Sequence, residues 1–321
     1  MNSVQGPIIK TTKLTKIYET GFRGEEVRAL VDLDLEIYPA EIYGYLGPNG
    51  SGKTTTIKLL LGLIFPTYGE ISILGSSDIY SPAVKKNIGY LPEGAYYPDF
   101  LRGEEILYFY GQLYGLTGKE LKKRVDYVLD IVGMSHARKR LFKGYSKGMR
   151  QRIGMAQALI GDPKILILDE PTTGLDPIAR KEIRDILARL RDEGKTLLIS
   201  SHELLEVEMI SNRVGILFDG ILRVSGTLDD LLEIKDRIIE FTGATDEKLK
   251  IIADKGGEIY DHIDSKVFLK AKTDEDIYDV IELGRSVGLS LVSITPRRES
   301  LEELFVRVIT SAELERRSKN E

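Results

Sequence analysis

The run Gly47-Pro48-Asn49-Gly50-Ser51-Gly52-Lys53-Thr54 fits the spacing G-x-x-x-x-G-K-[ST]. That spacing suits phosphate binding. Glycines let the backbone curl until successive N–H groups face a single phosphate group. Lys53 would reach the outer phosphates of a nucleotide, and the Thr54 hydroxyl would ligate Mg2+. Thr55 continues the cradle at the start of a helix, whose positive N-terminal end would face the ligand. A second set of groups stands at Ile165-Leu166-Ile167-Leu168-Asp169-Glu170, an apolar run that delivers two carboxylates at its end. Asp169 suits the Mg2+ partner of Thr54, and Glu170 suits a base that polarises water for attack on a γ-phosphate. Acidic pairs also end strands merely by reaching solvent. Beside a phosphate loop the chemical reading is favoured.

Groups so far apart in sequence need a sheet to gather them. Ile42 to Leu46 reads as a uniformly apolar strand before the loop, with a helix expected over Thr54 to Leu63. Ile165 to Leu168 and Thr196 to Ser200 have the same apolar character, as buried parallel strands do. Ile8 to Thr11 also reads as a strand. Leu30 to Ile37 alternates, with Leu33, Leu35 and Ile37 against Asp32, Asp34 and Glu36, the period-2 pattern of a half-buried sheet. The fold class expected is therefore α/β: a parallel core with an antiparallel β flank and a helical subdomain inserted at about 103–159. The chain changes character near Gly226. Beyond it the elements read β-α-β-β-α-β, the order of a ferredoxin-like α+β module, closed by a helix from Ser300 to Ile309. Ser300 and Glu303 fit a capping box at its start. Two domains follow, 1–226 and 227–321.

Composition removes other chemistries. With 321 residues and Cys 0, disulfide scaffolds, thiol catalysis and Cys-ligated metals are excluded, and His 3 leaves too few ligands for a His-based metal site. A formal charge of −5 gives no general pull towards nucleic acid, and none is expected as a partner. No segment approaches the ~20 apolar residues that cross a bilayer. The best run, Ile57 to Phe65, carries Lys58. The first residues lack a signal peptide's pattern, so a cytoplasmic protein is expected.

Three further stretches carry a family resemblance. Tyr145-Ser146-Lys147-Gly148-Met149-Arg150-Gln151 resembles the signature loop of ATP-binding-cassette (ABC) transporter ATPases. Glu170-Pro171-Thr172-Thr173-Gly174-Leu175-Asp176-Pro177 is similar to that family's Walker B end and D-loop, and Ser200-Ser201-His202 to its switch histidine. With the phosphate loop, four motifs stand in the family's order over about Ile8 to Gly226. The resemblance implies ATP and Mg2+ as cofactors, Glu170 and His202 as catalytic groups, and Tyr18 as the aromatic that stacks on adenine. It implies that Ser146 and Gly148 serve the ATP of a second subunit, with Asp176 across the interface, so that two chains pair head to tail around two ATP molecules. It further implies a separate integral-membrane permease and a place on the cytoplasmic face of the cell membrane. Glu93 stands where the family usually has Gln; it adds negative charge beside ATP and remains able to sit near Mg2+. Tyr145, Lys147 and Met149 replace the usual Leu, Gly and Gln of the signature. These departures, with the terminal stretch from Thr295 to Phe305, resemble the branch serving ABC-2-type exporters.

Overall fold

The computed structural model describes residues 6–20, 25–94, 96–273 and 275–320. A six-stranded sheet forms the centre of the first unit, in the order 221–227, 213–218, 42–46, 196–201, 165–169, 88–91. Strands 42–46, 196–201, 165–169, 88–91 and 213–218 run parallel, and 221–227 returns antiparallel to 213–218. Strand Ile165–Asp169 is buried at every position. Its alternate residues enter two different cores: Leu166 and Leu168 pack with the helices on one face, Ile165 and Ile167 with the β flank on the other. Burial on both faces is why these strands read as unbroken apolar runs.

The antiparallel flank comprises Ile9–Thr20, Glu25–Leu33, Glu36–Ile37 and Tyr68–Ile73. The single strand expected from Leu30 to Ile37 is divided in two. Thr11 explains the division. Its hydroxyl donates to Leu33 O (2.7 Å) and accepts from Leu35 N (2.9 Å), taking the place of ladder bonds, while Asp32 adopts φ 47°. The phosphate-loop helix also differs from expectation, running Lys53–Leu60 rather than to Leu63. Gly62, at φ 63°, ends it: Gly62 N donates to Leu59 O and Leu63 N to Lys58 O, a left-handed glycine cap. Helices Gly103–Leu113, Gly118–Ile131 and Lys147–Leu159 form the helical subdomain, as expected.

The second unit spans Asp229–Leu304. Its antiparallel sheet has the order 259–263, 266–271, 234–242, 290–298, and its helices Asp246–Asp254 and Asp276–Ser286 complete the β-α-β-β-α-β module. The helix expected from Asp274 begins at Asp276; Asp274 itself lies outside the described residues. Strand 290–298 runs past its expected end through Pro296, which an edge strand tolerates because one side of it needs no donor. Ser300 and Glu303 form the capping box, Glu303 N donating to Ser300 Oγ (3.2 Å) and Ser300 N to Glu303 Oε2 (3.0 Å). The last helix, Leu301–Asn320, is longer than expected, and from Phe305 onward it belongs to the first unit. Arg316 pairs with Asp219 (2.9 Å) and Glu315 with Arg223 (3.1 Å), ion pairs that the apolar periodicity gave no reason to expect. The division expected at 226 therefore needs correction, since the final residues do not go with the accessory module.

Candidate nucleotide site

Four adjacent parallel strands end at one edge of the central sheet, where ligands of α/β sheets bind. Each contributes a group. Strand 42–46 leads into Gly47, Pro48, Asn49, Gly50, Ser51 and Gly52; strand 196–201 into His202; strand 165–169 ends in Asp169, followed by Glu170; strand 88–91 leads to Glu93. A cavity of about 300 Å3 is lined by Asn49, Gly50, Gly52, Lys53, Thr54, Thr55, Glu93, Asp169, Glu170 and His202. Residues far apart in the chain thus meet as the motif reading required.

The loop is tightly built. At Gly52, φ is 110° and an added Cβ would stand 2.5 Å from Ala29 O, so no other residue fits without moving the backbone. Lys53 Nζ donates to Gly47 O (2.6 Å) and Pro48 O (3.2 Å), which pins the ammonium across its own loop. Burial holds the Lys53 pKa below the usual lysine range, against the pull of Glu170, Asp169 and Glu93. Thr54 is exposed at the mouth and Thr55 half-buried. Ser51 Oγ is buried without a hydrogen-bond partner among the described residues.

Ser200 Oγ donates to Asp169 Oδ1, and Glu170 N donates both to Ser200 O (3.1 Å) and to Ser200 Oγ (3.2 Å). One serine therefore orients both acidic residues. Glu170 takes φ 52°, a left-handed conformation that a non-glycine residue keeps only when its surroundings impose it. Its Oε2 accepts from Thr173 Oγ1 (2.8 Å) and lies 2.8 Å from His202 Nδ1. His202 is half exposed, so its second nitrogen remains open to a ligand.

Burial raises the pKa of Asp169, and the neighbouring charges of Glu170 and Glu93 raise it further. Three carboxylates share the cavity with Lys53 and Arg28. Among the described residues no three acidic or imidazole groups are close enough to enclose a metal ion by themselves. This donor set of carboxylate and hydroxyl oxygens fits Mg2+, which uses one or two carboxylates and completes its shell with phosphate oxygens and water. A testable consequence follows for Asp169→Asn. The folded protein holds the Asp169 proton more tightly than the unfolded chain does, so the penalty is full above the raised pKa and fades as pH falls past the unfolded value near ~3.9. Asp169→Asn should raise the Tm of the nucleotide-free chain at pH 7.5 by about 2–4 °C, the shift of ~1 kcal/mol in a chain of this size. The gain should vanish towards pH 4, and Mg2+-dependent hydrolysis should be lost. Scanning calorimetry across pH checks it; a lowered Tm at pH 7.5 would show that the Ser200 bond outweighs the buried charge.

The structure keeps several sequence-derived residues away from this cavity. Ser146 caps helix Lys147–Leu159, accepting from Met149 N (3.3 Å), and Gly148 is buried in its first turn. Asp176 caps helix Pro177–Asp192, accepting from Ala179 N (2.9 Å). None of the three lines the cavity around Lys53. Tyr18 does not line it either. Its ring lies under Lys16 Nζ at 5.0 Å, and it pairs across the ladder with Val27, which does reach the cavity together with Arg28 and Ala29. These three residues escaped the sequence reading because strand residues of the flank carry no motif. Ser200 had a signal in its place before Ser201-His202, and Thr173 in its place three residues after Glu170.

A phosphate loop at the edge of a parallel sheet, facing paired carboxylates and a histidine, with a helical insertion and an antiparallel flank, defines a nucleotide-hydrolysing cassette. Comparison with known proteins agrees. Residues 30–173 match the family described as ABC transporter. An uncharacterized ABC transporter ATP-binding protein of Synechocystis sp. is 37% identical over 316 residues, covering 95% of this chain and 85% of that protein. The bacitracin transport ATP-binding protein BcrA of Bacillus licheniformis is 36% identical over 307 residues, covering 94% of this chain and 97% of the relative. Among solved structures, a dimeric ATP-binding cassette in a post-hydrolysis state bound to ADP and Pi superposes with a TM-score of 0.62 at 26% identity, over 68% of this chain and 98% of that one. CbiO1 from Clostridium perfringens, part of the transporter complex cbiONQ, superposes with a TM-score of 0.60 at 26% identity, over 70% and 90%. The chain belongs to the ATP-binding subunits of ABC transporters, and it is an ATPase. No helix among the described residues is long and apolar enough to cross a membrane.

Proposed function

We propose that two copies of this chain pair head to tail, close on two MgATP molecules, and by hydrolysing them drive a separate integral-membrane permease. The observation that carries this reading is the split of the motifs: Lys53, Asp169, Glu170, Glu93 and His202 surround one cavity, whereas Ser146, Gly148 and Asp176 stand outside it. A second copy supplies the missing groups. Mg2+, when bound, would neutralise charge that develops on the transferring phosphate. Thr54 and Asp169 would hold it, with Glu93 beside them. Lys53 exchanges its loop carbonyls for phosphate oxygens. Glu170 accepts the proton of the attacking water, and His202, 2.8 Å from Glu170, holds the carboxylate towards the γ-phosphate. Backbone N–H groups from Gly47 to Thr55 cradle the phosphates, and the flank beside Tyr18 receives the base.

The permease would dock on the helical subdomain. Tyr96, Phe100, Phe109 and Leu113 expose large apolar side chains there or on the segment leading to it. Similarity to a bacitracin transport ATP-binding protein extends over most of this chain, the second unit included, and supports an exporter-type partner at the cytoplasmic face of the membrane. Complementation tests the shared site. Lys53→Met and Ser146→Arg should each abolish hydrolysis. Mixed in equal amounts, they should recover roughly a quarter of wild-type activity, because half the dimers then hold one intact site. Recovery of nothing above the separate variants would sink the head-to-tail arrangement.

A further inference from the structure

The Glu170 carboxylate is held from two sides, and one of the holds comes from its own turn. Residues 170–173 form a turn in which Thr173 N donates to Glu170 O (3.3 Å) and Thr173 Oγ1 donates to Glu170 Oε2 (2.8 Å). Glu170 enters that turn at φ 52°, with its N–H tied to Ser200 O and Ser200 Oγ on the neighbouring strand. These backbone bonds fix where the Cα–Cβ bond points. They leave the carboxylate plane undetermined, because the last torsion of a glutamate side chain is broad and soft. The Thr173 hydroxyl determines it. His202 Nδ1 reaches the same oxygen at 2.8 Å, from a side chain that is half exposed. Both contacts fall on Oε2, and Oε1 is the oxygen they leave to take a proton. Glu170 and His202 line the nucleotide cavity, and Thr173 stands behind them without lining it.

We propose that Thr173 is a positioning residue for hydrolysis: its hydroxyl turns the Glu170 carboxylate so that Oε1 meets the attacking water. This rests on the reading of Glu170 as the base. A general base has to stand within about 2.6–3.2 Å of the atom whose proton it takes, so a carboxylate free to rotate spends much of its time misaimed. Of the two holds, the one from Thr173 is independent of ligand. It is made three residues along the same turn, whereas His202 arrives from strand 196–201 and has the γ-phosphate as a second partner. A hydroxyl donating to an ionised carboxylate also makes one of the stronger classes of hydrogen bond. Thr173 therefore acts through Glu170 and touches neither nucleotide nor water.

Steady-state ATP hydrolysis by the full chain tests this, with Thr173→Val, Thr173→Ser and Glu170→Gln measured side by side. Thr173→Val keeps the side-chain shape and removes the donor. It should lower kcat about 5- to 20-fold, the worth of one hydrogen bond to a charged group when His202 still holds the same oxygen. KM for MgATP should stay within about two-fold, because the lost contact serves the transition state and not nucleotide binding. Thr173→Ser restores the donor and should recover most of the loss. Combined with Glu170→Gln, Thr173→Val should slow the residual hydrolysis no further, since the group it aims is already gone. A thermal scan verifies that each variant folds, and Thr173→Ala, which also lacks the donor, replaces the valine if that is not accommodated. A kcat for the donor-free variant within about two-fold of wild type or above it, no recovery in Thr173→Ser, or an undiminished further loss in the Glu170→Gln background overturns the proposal. Wild-type hydrolysis by Glu170→Gln alone would instead remove the base itself, so the two failures are told apart.

Discussion

Glu170→Gln is expected to slow ATP hydrolysis about 10²–10⁴-fold, the range lost with a general base, while MgATP binding persists. The substitution is nearly isosteric. The introduced amide oxygen can still accept from Thr173 Oγ1, which now lies 2.8 Å from the Glu170 carboxylate, and the backbone N–H keeps its bonds to Ser200. The loss therefore falls on the proton acceptor alone. With hydrolysis slowed, the closed ATP-bound pair should accumulate, and light scattering should report a dimer with MgATP and a monomer with MgADP. A dimer in the absence of nucleotide would place the standing contact outside the nucleotide sites. Hydrolysis within a few-fold of wild type would remove Glu170 as the base and leave His202 to be tested in its place.

The second large effect is expected for Lys53→Met, which should weaken MgATP binding by about 10²-fold or more. A charge-assisted bond to phosphate is worth about 1.5–3 kcal/mol, and tenfold in affinity corresponds to about 1.4 kcal/mol. Met follows the path of the lysine stem without the ammonium, so the loop loses its bonds from Nζ to Gly47 O and Pro48 O as well as the charge. The fold should survive, because Lys53 already carries a desolvation cost in its buried position and an apolar side chain relieves it. Fluorescent-nucleotide titration gives the affinity, and a thermal scan shows whether the unfolding transition is retained. Wild-type affinity in a folded Lys53→Met chain would remove Lys53 from phosphate binding.

Much of this was legible because phosphate chemistry demands local patterns. The loop from Gly47 to Thr54 has to be contiguous, since consecutive N–H groups must meet one phosphate group; Gly52, against Ala29 O, shows how little freedom the spacing leaves. The strand Ile165–Asp169 announces itself by burial on two faces, and the capping box at Ser300 and Glu303 by a bond pattern three residues long. The β-α-β-β-α-β order beyond residue 228 was equally readable where an element buries a periodic face, as strand 266–271 does with Val267, Leu269 and Ala271.

Long-range packing decided the rest. Which strands neighbour one another, and hence that Glu93, Asp169, Glu170 and His202 converge on Lys53, is a property of sheet order that no single stretch encodes. Ser200 serves both acidic residues only because strand 196–201 lies beside strand 165–169 in the register that sets Ser200 opposite Asp169. Val27 and Arg28 reach the cavity through the flank's pairing. Phe305 onward returns to the first unit through ion pairs with residues 92 and 97 positions earlier. Short-range hydrogen bonding and periodicity are written in neighbouring residues, so the sequence alone determined the phosphate loop, its carboxylates and the type of each element. The convergence of those groups comes from side chains that meet only after the chain has closed on itself, and tertiary structure alone decided it.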